Sequence, residues 1–427
     1  MPVSFSRRAI FFCGAILLFA IAQPVLPADN EADYADYIAS LQNLPAKDFS
    51  SILIAELHEY IRRFPDATNL DDMHFKMASI FSDNKNQVES FFAHLQLIYF
   101  YPNSKHLVVA QDRLRTLLIQ DNKFRAAKDK VETLLNPTIF EDSKEGRRFN
   151  FLRDAHEYNL EPIAKLVINS CDQFLRDFPE SPKSEEVRFW EADLLARDQQ
   201  FERSLAEYLK VTYLHKQGLL VTASKLKMAD LFTERLKMHQ NAILTLEEFL
   251  LEFPDDPQAP YAQLRLAKIL EQEKRTYVDA INAYTAVAKR YPASVEAVPA
   301  LFDAARLYED KFKEYDQAIR VYTEIVRDFP KDLKAPYALA EAARVYEKRL
   351  SDYFNAASVY YKVYGLYPES QIAAASLYAA AEIHEKRLKD LQKAIEHYRL
   401  IVDKFPNDDL AAKASGRIEK LSKELNK

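Results

Sequence analysis

The chain has 427 residues, 48% of them hydrophobic and 29% charged, with both charge signs interspersed, a composition that excludes a disordered polypeptide. Glycine occurs five times, at Gly14, Gly146, Gly218, Gly365 and Gly416, which favours helix and excludes both a hairpin-rich β fold and a glycine phosphate loop. A net charge of −6 argues against a nucleic-acid partner.

Arg7 and Arg8 precede an uncharged apolar run over residues 10–22, and the first acid is Asp29. This pattern reads as a signal peptide over residues 1–28, with small-residue cleavage sites after Ala22 or after Ala28. The run, about 13 residues, is too short for a comfortable bilayer span, so no membrane span is expected in the mature chain. Loss of the leader removes two basic and no acidic residues and takes the net charge from −6 to −8. Cys13 lies inside the run rather than at its end, which leaves Cys171 alone and allows no intramolecular disulfide in the mature chain. The expected location is periplasmic or secreted.

Residues 29–178 read as degenerate helical repeats. Residues 31–64 supply leading helices, and Pro65, Pro102, Pro137 and Pro179 mark the starts of successive units. Ala78 and Ala192 each stand thirteen residues after such a proline. The unit from Pro137 to Pro179, 42 residues long and including the polar stretch 141–148 with Gly146, is the expected hinge or protruding loop.

From 179 to 405 the repeats become regular. Phe253-Pro254, Tyr291-Pro292, Phe329-Pro330, Tyr367-Pro368 and Phe405-Pro406 recur every 38 residues. Segments opening at Ala280, Ala318, Ala356 and Ala394 carry apolar residues at three- and four-residue spacing and run into these prolines, so each is an amphipathic helix stopped by its proline. A second periodic segment follows each proline, centred on Ala267, Ala305, Ala343 and Ala381. Each repeat is thus predicted to be a helical hairpin. Residues 406–427, rich in Lys and Glu, supply a final capping helix.

An alanine, an aromatic four residues later and a proline eight beyond it, with a small-x-x-Tyr pattern in the companion helix, resembles the tetratricopeptide repeat. The spacing of 38 exceeds the usual 34 of that family, with about three extra residues before the first helix and one in the turn between helices. It is similar to the long-repeat subgroup found in bacterial envelope proteins. The resemblance implies an all-α fold, a right-handed α-solenoid of antiparallel helix pairs. In its frame Tyr284, Tyr322, Tyr360 and Tyr398 hold the recurrent aromatic position of the second helix, and Cys171 holds it ahead of Pro179, so that thiol is expected in the core.

The family frame also places four positions of each first helix on a concave groove. They are Tyr261, Leu264, Lys268 and Glu271, then Pro299, Phe302, Arg306 and Glu309, then Tyr337, Ala340, Arg344 and Glu347, then Ala375, Tyr378, Glu382 and Glu385. The recurrent acid has a bland explanation as an i,i+3 partner of the preceding Lys or Arg. Its functional reading is a groove for a partner segment, with Tyr261, Lys268, Phe302, Arg306, Tyr337, Arg344 and Tyr378 as contacts.

No constellation for chemistry competes with this. The nine histidines show no metal spacing, His384 sits where other repeats place Tyr or Leu, and Asp255-Asp256 and Asp408-Asp409 sit where acids begin helices. No catalytic residue, cofactor or metal is expected. The sequence therefore points to an exported protein–protein interaction scaffold of the cell envelope. The alternative is a non-catalytic accessory subunit of a polysaccharide-export or peptidoglycan-processing system.

Overall fold

The computed structural model describes residues 30–42, 49–137, 141–273 and 277–426. The expected leader, 1–28, lies outside the described residues. Among those described the chain is helical throughout, with no strand, and consecutive helices pack as antiparallel pairs. Two compact units divide at 181/182.

In the carboxyl-terminal unit the second helix of each regular repeat has 14 residues: His239–Glu252, Tyr277–Arg290, Tyr315–Asp328, Tyr353–Leu366 and Leu391–Lys404. Each stops one residue before the aromatic that precedes proline. The proline ring clashes with a helical residue before it, and Phe329 accordingly leaves the helix at φ −125°, ψ 49°. Its carbonyl then accepts from Asp332 N at 3.0 Å, closing a turn with proline in its second position, and the Asp332 carbonyl accepts from Ala335 N at 3.0 Å. The same two bonds recur at Phe253 and Asp256 and at Phe405 and Asp408. These stacked turns take up the added residues ahead of each first helix. Asp256, Asp332 and Asp408 also accept from the backbone N–H two residues on, so these acids order the turn.

The extra residue in the inter-helix turn has its own structural form. The first helices Ala297–Leu307, Ala335–Val345 and Ala373–Ile383 run on into π-helical turns, Tyr308–Phe312, Tyr346–Leu350 and His384–Leu388. A π turn is the helical way of absorbing one inserted residue. Each ends in a left-handed residue, Lys313 at φ 59°, Ser351 at 55° and Lys389 at 59°. Lys237 at φ 57° does the same after Leu231–Arg235. None of these is glycine, although glycine is the residue that adopts this conformation without steric cost.

Alanine governs how closely the helices approach. Ala267, Ala305, Ala343 and Ala381 on first helices and Ala280, Ala318, Ala356 and Ala394 on second helices are all fully buried. Beside them Tyr284, Tyr322 and Tyr398 fill the space between neighbouring repeats. His384 replaces the tyrosine of the two preceding repeats and packs edge-on against His397 at 5.1 Å, which stacks on Tyr361 at 4.9 Å. Burial, and then the neighbouring His384, push the His397 imidazole down to about 4. The last helix, Asp409–Leu425, buries Ala411, Ala414 and Leu421, but the register position of the buried alanines falls to Glu419, which is exposed and pairs with Lys423 at 2.6 Å.

The amino-terminal unit uses the same proline stops. Ser50–Arg63, Gln87–Phe100, Val131–Leu135 and Ala164–Asp177 end ahead of Pro65, Pro102, Pro137 and Pro179. Cys171 is fully buried beside Phe174, in the core position expected of it. Within the unit from Pro137 to Pro179 the polar stretch 141–148 is largely helical. Ser143 accepts from Gly146 N at 3.0 Å and caps the helix Lys144–Glu157, so most of the stretch is the helix's first turns. The irregular backbone lies upstream instead, in the 3-10 segment Asn122–Lys130. There Phe124 departs from helical geometry and stacks on Phe91 at 4.2 Å.

The left-handed caps give a direct test. Lys313→Gly is expected to raise the unfolding free energy by up to about 1 kcal/mol, and Lys313→Val to lower it by at least about 1 kcal/mol, both read by urea denaturation.

Candidate partner-binding face of the carboxyl-terminal repeats

The seven residues assigned to the groove fall into three physical groups. Tyr261, Lys268 and Tyr337 are exposed, the two tyrosines at 37% and 40%. Phe302 and Tyr378 lie half-buried, each edge-on to the second-helix tyrosine of its own repeat, Phe302 to Tyr322 at 5.6 Å and Tyr378 to Tyr398 at 5.3 Å. Arg306 and Arg344 are engaged in ion pairs that join one repeat to the next.

The joining pattern is regular. Arg306 Nη2 reaches Glu271 Oε1 of the preceding repeat at 2.8 Å, and Arg344 Nη2 reaches Glu309 Oε2 at 2.6 Å, both across 35 residues of sequence. Arg265 pairs with Asp230 at the same separation, and Arg417 of the last helix pairs with Glu385. The recurrent acids therefore turn toward the following repeat, and the expected i,i+3 pairing with the preceding Lys268, Arg306 or Arg344 is not the one they make. Glu347 is the exception that explains the rule. Its partner position, 35 residues on, holds Glu382 in place of arginine, and Glu347 takes Lys348 at 2.5 Å.

Glu271 and Glu385 also accept from within their own repeats. Tyr284 donates its hydroxyl to Glu271 Oε2 at 2.7 Å, and Tyr398 donates to Glu385 Oε2 at 3.0 Å. Burial, then the hydrogen bond to Glu271, hold the Tyr284 phenol far above its ordinary range, so it stays a donor at any physiological pH. Glu309 is the most enclosed of the acids, its side chain 4% exposed between Arg344 and Arg349, whose Nε lies 2.8 Å away. Burial opposes its charge, but the hydrogen bonds from Arg344 and Arg349 prevail and hold its carboxyl below the usual range.

A second set of links runs along the ends of the first helices. His239 Nδ1 meets Glu273 Oε1 at 2.7 Å, Lys311 lies over the Tyr277 ring at 5.2 Å, and Arg387 lies over the Tyr353 ring at 5.2 Å. Each bridges 34 residues, from the start of one second helix to the end of the next first helix.

The sequence profile of the tetratricopeptide repeat matches residues 223–256, 261–294, 299–332 and 375–408. The chain carries tetratricopeptide repeats. These repeats are scaffolds for protein–protein contacts, and the fold they build is typically non-catalytic. Residues 337–370 fall outside the matched stretches, yet keep the same helix pair with the same π turn and left-handed cap. No curated protein matches the chain. Among solved structures it is similar to a tetratricopeptide repeat protein from Parabacteroides merdae, with 15% identity and a TM-score of 0.34 over 65% of this chain and all of that one. It is also similar to the P58(IPK) TPR domain, with 15% identity and a TM-score of 0.24 over 83% of this chain and 99% of that one.

Among the described residues no group of three or more His, Cys, Asp and Glu is arranged to hold a metal ion, and no helix is long and apolar enough to cross a membrane. The tetratricopeptide frame identifies which helix face carries the charged ladder. It does not say that the arginines there are spent on joining repeats, because that link spans 35 residues and only the folded stack brings its ends together.

Glu309→Gln is expected to cost about 1–3 kcal/mol at pH 7, since it strips the charge that two guanidinium groups hold. The folded carboxyl titrates below the unfolded value of about 4.3, so its contribution is full above that pH and is lost as the pH falls through the folded value. Denaturation curves at pH 7 and about pH 3 should accordingly show the wild type and the variant converging in acid.

Proposed function

We propose that this protein is an exported scaffold of the cell envelope that holds a segment of a partner protein along the first helices of its regular tetratricopeptide repeats. The observation that carries this reading is the exposure of Tyr261 and Tyr337, at 37% and 40%, each the single tyrosine or phenylalanine of its first helix, Ala259–Gln272 and Ala335–Val345. Lys268 stands about two turns along the same helix face from Tyr261 and offers a cation to an acidic or carbonyl-bearing segment. Rigid aromatic rings with few rotatable bonds lose little entropy on binding and anchor such contacts. Phe302 and Tyr378 contribute ring edges at the floor of this strip, and Arg306 and Arg344 fix the spacing of the repeats that present it. Export rests on the signal-like pattern of residues 1–28.

The division of roles decides how the reading is tested. Reversing Arg306 and Arg344 would unbalance the repeat joints and confound binding with stability, so the informative changes are Tyr261→Ala, Tyr337→Ala and Lys268→Glu combined. Expressed with its own leader, the chain is expected in the periplasmic or secreted fraction with Gln23 or Asp29 as its first residue. Pull-downs from envelope extracts are expected to lose their specific partner, with at least a tenfold fall in affinity, in the triple variant while its unfolding curve stays unchanged. A chain retained in the cytoplasm with its leader intact would contradict export. A partner held equally by wild type and triple variant would contradict the binding face.

A further inference from the structure

The helix Tyr353–Leu366 buries only Ala356, Ala357 and Val363, and it leaves Phe354 65%, Tyr361 40% and Leu366 59% exposed. Its outward side is unlike that of its neighbours. Phe354, Ser358, Tyr361 and Gly365 occupy the register of Asp316, Arg320, Thr323 and Arg327 one repeat earlier, and of Gln392, Glu396, Arg399 and Asp403 one repeat later. An uncharged stripe is thus bounded on both sides by charged helices, the arrangement of an interface core and its polar rim.

Gly365 sharpens the point. A side chain there would meet nothing within 4 Å, and its backbone is not in the left-handed region, so nothing inside the chain requires glycine. Glycine within a helix costs up to about 1 kcal/mol relative to alanine. A backbone approaching from outside would account for it.

The four stripe residues recur at spacings of four, three and four, and at 3.6 residues per turn they lie within an arc of about 60°. They alternate large, small, large, small. Laid antiparallel on a second copy of itself, the helix has one register, centred between Val359 and Tyr360, in which Phe354 meets the partner's Gly365 and Ser358 meets the partner's Tyr361. Parallel alignment would set ring on ring and leave a gap at the glycines. We propose that two copies of this chain associate through this helix, antiparallel across a two-fold axis, with the large side chains of each filling the small positions of the other. A foreign helix has no reason to match this midpoint symmetry, whereas an isologous contact demands it. One helix pair buries less than the roughly 1,200 Å² of a standard interface, so the dimer is weak, with a dissociation constant of the order of micromolar.

The test is sedimentation equilibrium of the full chain from about 1 to several hundred micromolar, which brackets that affinity. A reversible monomer–dimer equilibrium is expected, weakened at least tenfold by Gly365→Arg and by Phe354→Ser, with neither variant losing helicity or thermal stability, since both positions are exposed and arginine favours helix over glycine. Oxidation of the double variant Ser358→Cys, Tyr361→Cys is expected to yield dimers linked from 358 to 361. A chain that stays monomeric at every concentration overturns the proposal and leaves the stripe to a helix of another protein. A dimer indifferent to Gly365→Arg and Phe354→Ser, or links joining 358 to 358, overturns it equally. None of these outcomes depends on Tyr261 or Tyr337, so the partner-binding face stands or falls separately.

Discussion

One hairpin of this chain cannot bury its own apolar stripe. Ala305 and Ala318 let its two helices approach closely, but the clusters that bury Tyr284, Tyr322 and Tyr398 draw on neighbouring helices beyond the hairpin as well as on its own rings. Stability therefore lies in the joints between neighbours, as expected of a quasi-one-dimensional fold. Arginine and an acid supply the directional part of the joints made by Arg265, Arg306, Arg344 and Arg417, and only the joint at Glu347 in this stretch goes without. Apolar burial alone would let repeats slide or rotate, whereas a guanidinium that must reach a carboxylate 35 residues back, itself held by a tyrosine of that repeat, admits one spacing.

This division of labour shapes what the surface can offer a partner. A residue spent on a joint is not available for recognition without loosening the stack, so the residues able to bind are those the joints leave over, Tyr261, Tyr337 and Lys268 on the first helices and Phe354 and Leu366 on one second helix, together with the part of Tyr361 left exposed beside its stack on His397. The two sets belong to different helices of the repeat and are available to different partners. In the last described helix Glu419 stands in the register of the buried alanines.

Much of this was legible in the sequence because its causes are local. The aromatic-proline pairs stop helices through a clash between adjacent residues, the alanines mark crossings by their size, and Cys171 occupies a tyrosine's place in the core. The joints were not legible, because pairing read along a helix favours neighbours three or four residues apart and Glu309 has Arg306 in that place. The signal was present in another form: Glu271 with Arg306 and Glu309 with Arg344 share one offset, and Glu347, facing Glu382 at that offset, is followed by Lys348. The left-handed caps were hidden because Lys313, Ser351 and Lys389 stand where glycine would have announced them. In the first unit the polar residues 141–148 suggested a loop, but Ser143 turned them into a capped helix start.

The central claim is that arginine and acid couple one repeat to the next. A double-mutant cycle on Glu271→Gln and Arg306→Met, measured by urea denaturation, tests it most directly. The account expects the two changes to be non-additive by about 1 kcal/mol or more, as residues in one hydrogen-bonded network are. Additivity within about 0.3 kcal/mol would show that the repeats are held by apolar packing alone and would contradict it.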